Sequence, residues 1–117
     1  MGLSTHVLDT MHGVPAGGMR VALFTIHEGV PTLVRRFTLD QDGRNPDGPL
    51  YDDQSLRRGR YRLEFDVAAY FLQRGVVLPE PSFLSLVSVD FGVAHADQHY
   101  HVPLLVSPWS YSTYRGS

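Results

Sequence analysis

Apolar and polar positions alternate with a period of two along most of this chain, which is the pattern of strands that bury one face and wet the other. The segment 61–67 (YRLEFDV) shows it most clearly, with Tyr61, Leu63, Phe65 and Val67 on one face and Arg62, Glu64 and Asp66 on the other. Segments 20–26 and 32–39 read as further strands. In 82–91 the residues Phe83, Ser85, Val87, Val89 and Phe91 fall on one face. In 3–10, Ser4, His6, Leu8 and Thr10 share a face opposite Leu3, Thr5, Val7 and Asp9. Segment 100–106 makes a strand whose Pro103 must occupy an edge or a bulge, because proline has no amide proton for a ladder. Segment 109–114 is β-prone through its aromatic residues and Thr113. At 68–74 the alternation gives way to good helix formers, and Gly75 stands where a helix C-cap belongs, predicting about two turns of helix. Gly and Pro punctuate the chain often enough to keep each strand short. Seven or eight short strands and one small helix predict an all-β antiparallel sandwich.

The 117 residues, 43% of them hydrophobic, suffice for one domain over 1–117, and no linker, repeat or low-complexity stretch divides them. The absence of cysteine excludes disulfides, thiolate zinc sites and a cysteine nucleophile. All ten basic residues are arginine, so neither a Schiff base nor a phosphate-loop lysine is available. A net charge of -2 without a basic run predicts no nucleic-acid partner and no membrane partner. The first residues lack the charged and apolar stretches of a signal peptide, and no apolar run nears the ~20 residues of a membrane span. A soluble, cytoplasmic protein is the expectation.

Imidazole suits proton transfer at neutral pH and metal binding alike, so the six histidines are the first candidates for chemistry. His99 and His101 flank Tyr100 in a predicted strand and therefore point to one face. Such a pair could bind a metal, hold a general base, or fill a polar surface. His6 lies on the polar face of the first strand, where its own strand neighbours could also satisfy it. His12, His27 and His95 fall in or beside predicted turns and are expected to be solvated. The run Asp40-Gln41-Asp42-Gly43-Arg44 lacks the glutamate of a calcium loop at the required spacing, where Tyr51 stands. Arg44, just after a glycine turn, is a forked and permanently charged donor suited to a planar, carbonyl-rich ligand. Tyr114, Arg115 and Ser117 crowd a phenol, a guanidinium and a hydroxyl into four residues. Neither a Gly-x-Ser-x-Gly elbow nor a Gly-x-Gly-x-x-Gly loop is present.

Taken together, LSTHVLDT at 3–10, Asp42-Gly43-Arg44, HYHVPLL at 99–105 with Ser107-Pro108, and YSTYRGS at 111–117 resemble the transthyretin-related family of 5-hydroxyisourate hydrolases. The terminal Tyr-Arg-Gly-Ser separates these hydrolases from the hormone-carrying transthyretins of the same fold. The resemblance implies a transthyretin-like antiparallel β-sandwich of two four-stranded sheets with one short helix. It also implies a homotetramer, a dimer of dimers whose central channel carries the active sites. The implied reaction is hydrolytic ring opening of 5-hydroxyisourate to 2-oxo-4-hydroxy-4-carboxy-5-ureidoimidazoline in urate degradation, without metal or other cofactor. His6, Arg44, His101 and Ser117 then fall on catalytic positions, and His6, Arg44, Tyr114 and Arg115 on substrate-binding ones. His99 ranks below His101. Segment 75–81 departs from the aromatic pair and proline that many relatives carry there. Two other classes remain open: a transthyretin-like binding protein without chemistry, and a zinc enzyme using His6, His99 and His101.

Overall fold

Strand β5 (Gly59–Asp66) realises its alternation directly, burying Tyr61, Leu63 and Phe65 while Arg62, Glu64 and Asp66 stay half-exposed on the opposite face. In the computed structural model, which describes residues 2–116, the other strands are β1 (Leu3–Asp9), β2 (Val14–Pro15), β3 (Arg20–His27), β4 (Val30–Thr38), β6 (Leu86–Val93), β7 (Tyr100–Val106) and β8 (Tyr111–Thr113). They form two four-stranded sheets, ordered β2-β1-β7-β8 and β4-β3-β5-β6. Between the sheets, Leu3, Val7, Leu23, Leu63, Phe65 and Leu104 are fully buried. Two packed sheets and one short helix are the architecture expected of the chain. Among the described residues, no helix is long and apolar enough to cross a membrane.

One pairing departs from the antiparallel expectation. β1 and β7 run parallel, with Ser4 opposite His101 and His6 opposite Pro103. Periodicity fixes which face a residue takes but not the direction of its neighbour. Pro103 therefore sits in a strand with partners on both sides. It is tolerated because of where it interrupts the ladder. The register that joins Leu104 to Thr113 in β8 continues past a gap to a bridge between His101 and Gly116. In that gap Pro103 has no proton to give, and its carbonyl instead accepts from the Thr113 hydroxyl at 2.6 Å.

Strand β6 begins later than its alternation predicts. Leu86 is the last residue with a partner, Asp66, because the chain turns into helix α1 (Val67–Gln73) immediately afterwards. Residues 82–85 are used otherwise: the Ser85 carbonyl accepts the free amides of Val67 and Ala68, and Phe83 is left 70% exposed. Trp109 likewise lies in a turn rather than in β8, with the Ser107 hydroxyl accepting the amides of Trp109 and Ser110.

α1 buries Val67, Tyr70 and Phe71 and is closed by the amides of Gly75 and Val76, bonded back to Leu72 and Phe71. Through it the helix reaches the end of β1. The Asp9 side chain is fully buried and accepts from the Tyr70 hydroxyl at 2.7 Å, the His12 amide at 2.9 Å and His12 Nδ1 at 2.6 Å. Burial alone would raise its pKa, but these donors hold the carboxyl below its ordinary value. His12 is thus tied to the core through Asp9 and is not simply solvated. Tyr70→Phe leaves the carboxylate one donor short and should cost about 1–3 kcal/mol of stability. The measurement is a urea midpoint at pH 7, which must fall relative to the parent.

Candidate active site

The parallel pairing of β1 with β7 builds the centre of the site. Because Leu3, Thr5, Val7 and Asp9 point into the core, Ser4, His6 and Leu8 point outward, and His101 does so on the neighbouring strand. Register then sets Ser4 beside His101, with Ser4 Oγ 2.8 Å from His101 Nδ1. The same oxygen lies 3.4 Å from His99 Nε2. His99 and His101 stack nearly parallel, at 12° and 6.4 Å between ring centroids, as their shared face predicts.

Arg44 arrives from the other side of β1. Asp40 organises its loop: Oδ1 accepts the amides of Asp42 and Arg44, and the Asp40 amide bonds the Arg44 carbonyl. The acidic residue is therefore a turn-former, in keeping with the absence of a calcium pattern. Gly43 then lies against β1, its carbonyl accepting the Val7 amide at 2.9 Å. Its φ is +74°, and a Cβ there would stand 2.4 Å from the Val7 carbonyl oxygen, so only glycine fits without movement. This contact seats Arg44 in an antiparallel bridge with His6.

The terminal segment closes the third side. The amide and carbonyl of Gly116 exchange hydrogen bonds with those of His101, at 2.7 and 3.2 Å. A Cβ on Gly116 would lie 3.1 Å from the His101 ring, so the glycine lets the tail run tight beneath the imidazole. Arg115 does not join the histidines. Its guanidinium lies 4.0 Å over the Tyr100 ring and donates to the His99 carbonyl and to Gln98 Oε1, both at 3.1 Å. Tyr114 is exposed. Ser117 lies outside the described residues.

His6, Arg44, His101 and His99 are thus brought together, with Ser4 among them. Ser4 shares a sequence face with His6, which was the one available signal of its place; its position between two imidazoles depends on a pairing the sequence does not reveal. Burial first, and then the Arg44 charge, push the pKa of His6 down, and the same two causes lower that of His101, with His6 and His99 adding to it. Both rings are therefore neutral at neutral pH and able to accept or donate a proton. A cavity of about 240 Å³ is walled by Ser4, Arg44, Asn45 and His99. A larger concavity of about 460 Å³ lies on the other sheet among Arg20, Arg36 and Glu64, and no histidine lines it. Among the described residues, no three His, Asp or Glu side chains are grouped as a metal centre requires.

A profile of the HIUase/Transthyretin family matches residues 3–116. The chain is 50% identical to 5-hydroxyisourate hydrolase 2 of Rhizobium meliloti (strain 1021), over 98% of this chain and 95% of that one. Among solved structures, (S)-allantoin synthase superposes with a TM-score of 0.92 at 42% identity, covering 99% of this chain, which spans only 43% of the synthase. The 5-hydroxyisourate hydrolase of Klebsiella pneumoniae superposes end to end, with a TM-score of 0.79 and 32% identity over all of both chains. With the site on the outer face of β1 and β7 and this likeness along nearly its whole length, the chain belongs to the HIUase/Transthyretin family.

Proposed function

We propose that this protein opens the six-membered ring of 5-hydroxyisourate by hydrolysis, giving 2-oxo-4-hydroxy-4-carboxy-5-ureidoimidazoline. That it is a hydrolase follows from its half-identity with a 5-hydroxyisourate hydrolase along almost the whole of both chains. The observation that carries the reading to this substrate is the meeting of two pKa-lowered imidazoles with an arginine and the Gly116 segment on one sheet face. A cyclic amide needs an activated water and a donor for its oxyanion, and these groups supply both.

In this mechanism the pair His6 and His101 positions the water and handles its proton. Arg44 binds the substrate's carbonyl oxygens and stabilises the charge that develops on them. Tyr114 and Ser117 orient the substrate. Arg115, held on Tyr100 and the His99 carbonyl, acts in the substrate site through the terminal segment it anchors, and reaches the ligand itself only by leaving those partners. No cofactor takes part in the proposed steps. The site lies on an outward sheet face with half-buried histidines and an exposed Arg44, so it needs walls from outside the chain. A homotetramer, a dimer of dimers, would provide them, and the exposed Phe83, Trp109 and Tyr111 offer apolar surface for association.

The test follows decay of 5-hydroxyisourate, generated in place by urate oxidase, in the ultraviolet. The parent protein accelerates it, whereas His6→Asn and His101→Asn each lose about 10²- to 10⁴-fold in rate while remaining folded. Near-parental turnover by both variants would sink the assignment. Dilution provides a second check: specific activity should fall together with the tetramer seen by sedimentation, and fully active monomers would contradict the need for association.

The electrostatics give a pH profile. The base must be neutral, and because its pKa lies below the ordinary 6.5, the acid limb of kcat/KM falls below that value. Arg44→Gln removes the charge that helps depress both rings, so the limb moves to higher pH as the rate falls by about 10²- to 10³-fold. A limb that stays in place would show that Arg44 does not set the histidine charge state.

A further inference from the structure

Ser4 has one proton to share between two imidazoles. Its oxygen is 2.8 Å from His101 Nδ1 and 3.4 Å from His99 Nε2, and a hydroxyl donates once while accepting through its lone pairs. Two arrangements let the Ser4 hydroxyl donate to one ring while it accepts from the other. In one, His101 gives Nδ1–H to Ser4, Ser4 donates to His99 Nε2, and His99 carries its proton on Nδ1. In the other, His99 gives Nε2–H to Ser4, Ser4 donates to His101 Nδ1, and His101 carries its proton on Nε2.

The surroundings of His99 choose between them. His99 Nδ1 is buried and has no hydrogen-bond partner among the described residues. The first arrangement would strand an N–H donor there, and orphaned buried N–H groups are rarer than under-satisfied acceptors. The second leaves only a lone pair. It also matches the lengths, since the shorter contact is the one in which the Ser4 hydroxyl donates to an imidazole nitrogen.

We infer that Ser4 is a positioning residue that holds His101 as its Nε2–H tautomer. His101 then faces the substrate as a neutral donor, and His6 is the base. The assignment rests on the proposed reaction and divides the labour within its histidine pair. Water gives a proton to His6 as its oxygen bonds to the amide carbon. The Nε2–H of His101 donates a hydrogen bond to the oxyanion and keeps its proton. The carbon–nitrogen bond then breaks, and the leaving nitrogen takes the proton from His6, which returns to its neutral form.

Glutamine and asparagine separate the roles, because the glutamine amide nitrogen falls near the Nε2 of histidine and that of asparagine near Nδ1. His101→Gln should therefore keep a donor and retain kcat at least roughly tenfold above His6→Gln, which has no base. Ser4→Ala should lower kcat by roughly 10- to 100-fold with KM little changed, and Ser4→Thr should restore it. The tautomer is read independently of activity from ¹⁵N chemical shifts of the His101 ring at pH 8. The expected spectrum shows protonated Nε2 and bare Nδ1 in the parent, and a shift of population toward Nδ1–H in Ser4→Ala. A protonated Nδ1 in the parent, or equal activity in His101→Gln and His6→Gln, overturns the inference. A parent with no activity on 5-hydroxyisourate sinks the proposed function instead, while the spectrum still decides the direction of the hydrogen bonds.

Discussion

Everything about the site depends on one backbone constraint, the parallel, in-register pairing of β1 with β7. The two strands come from opposite ends of the chain, so the pairing closes a long loop and must be held by more than its own hydrogen bonds. The core supplies the hold: Leu3 and Val7 from β1 and Leu104 and Val106 from β7 are fully buried side by side. Since side chains alternate, a slip of β1 by one residue would bring Ser4 and His6 inward and part them from His101. The hydrophobic face that stabilises the sheet is therefore the same device that aims the imidazoles at solvent.

Three further segments attach to this pair, two of them through the backbone and the third through a side chain. The Asp40–Arg44 turn is fixed to β1 at Val7, the terminal segment to β7 at His101, and the Asp9 carboxylate ties the far end of β1 to α1. Backbone attachment explains why glycines stand at 43 and 116. At both, a methyl group would meet the strand or the His101 ring at close range. Side chains alone would leave Arg44 and the tail free to swing; bonded to the strands, they hold the site's donors in a set order.

Much of the fold was legible because burial imposes a period. β5, β3 and the helix over residues 67–73 appear almost as their alternation or composition predicts. What fails to appear is the identity of partners. Nothing in the alternation of residues 82–85 shows that they will cap a helix, and nothing about Pro103 shows that it will fall in a gap between two bridges. The site follows the same rule. The shared face of His99 and His101 was readable from spacing, and His6 and Arg44 from family likeness. Ser4 is visible only as a neighbour of His6, the turn position of His12 does not reveal its bond to a buried carboxylate, and Arg115 is occupied by Tyr100 and the backbone of His99.

The buried polar groups divide by what surrounds them. Asp9 has its acceptor oxygens met by Tyr70 and His12 and so strengthens the fold without titrating near neutrality. His99 has one nitrogen met and one without a partner among the described residues. An incomplete set of partners costs free energy. Had His99 Nδ1 an acceptor, the Ser4 hydroxyl could turn either way and His101 would populate both tautomers. Without one among the described residues, the inferred chain of hydrogen bonds favours one direction, set at His99, two residues from His101.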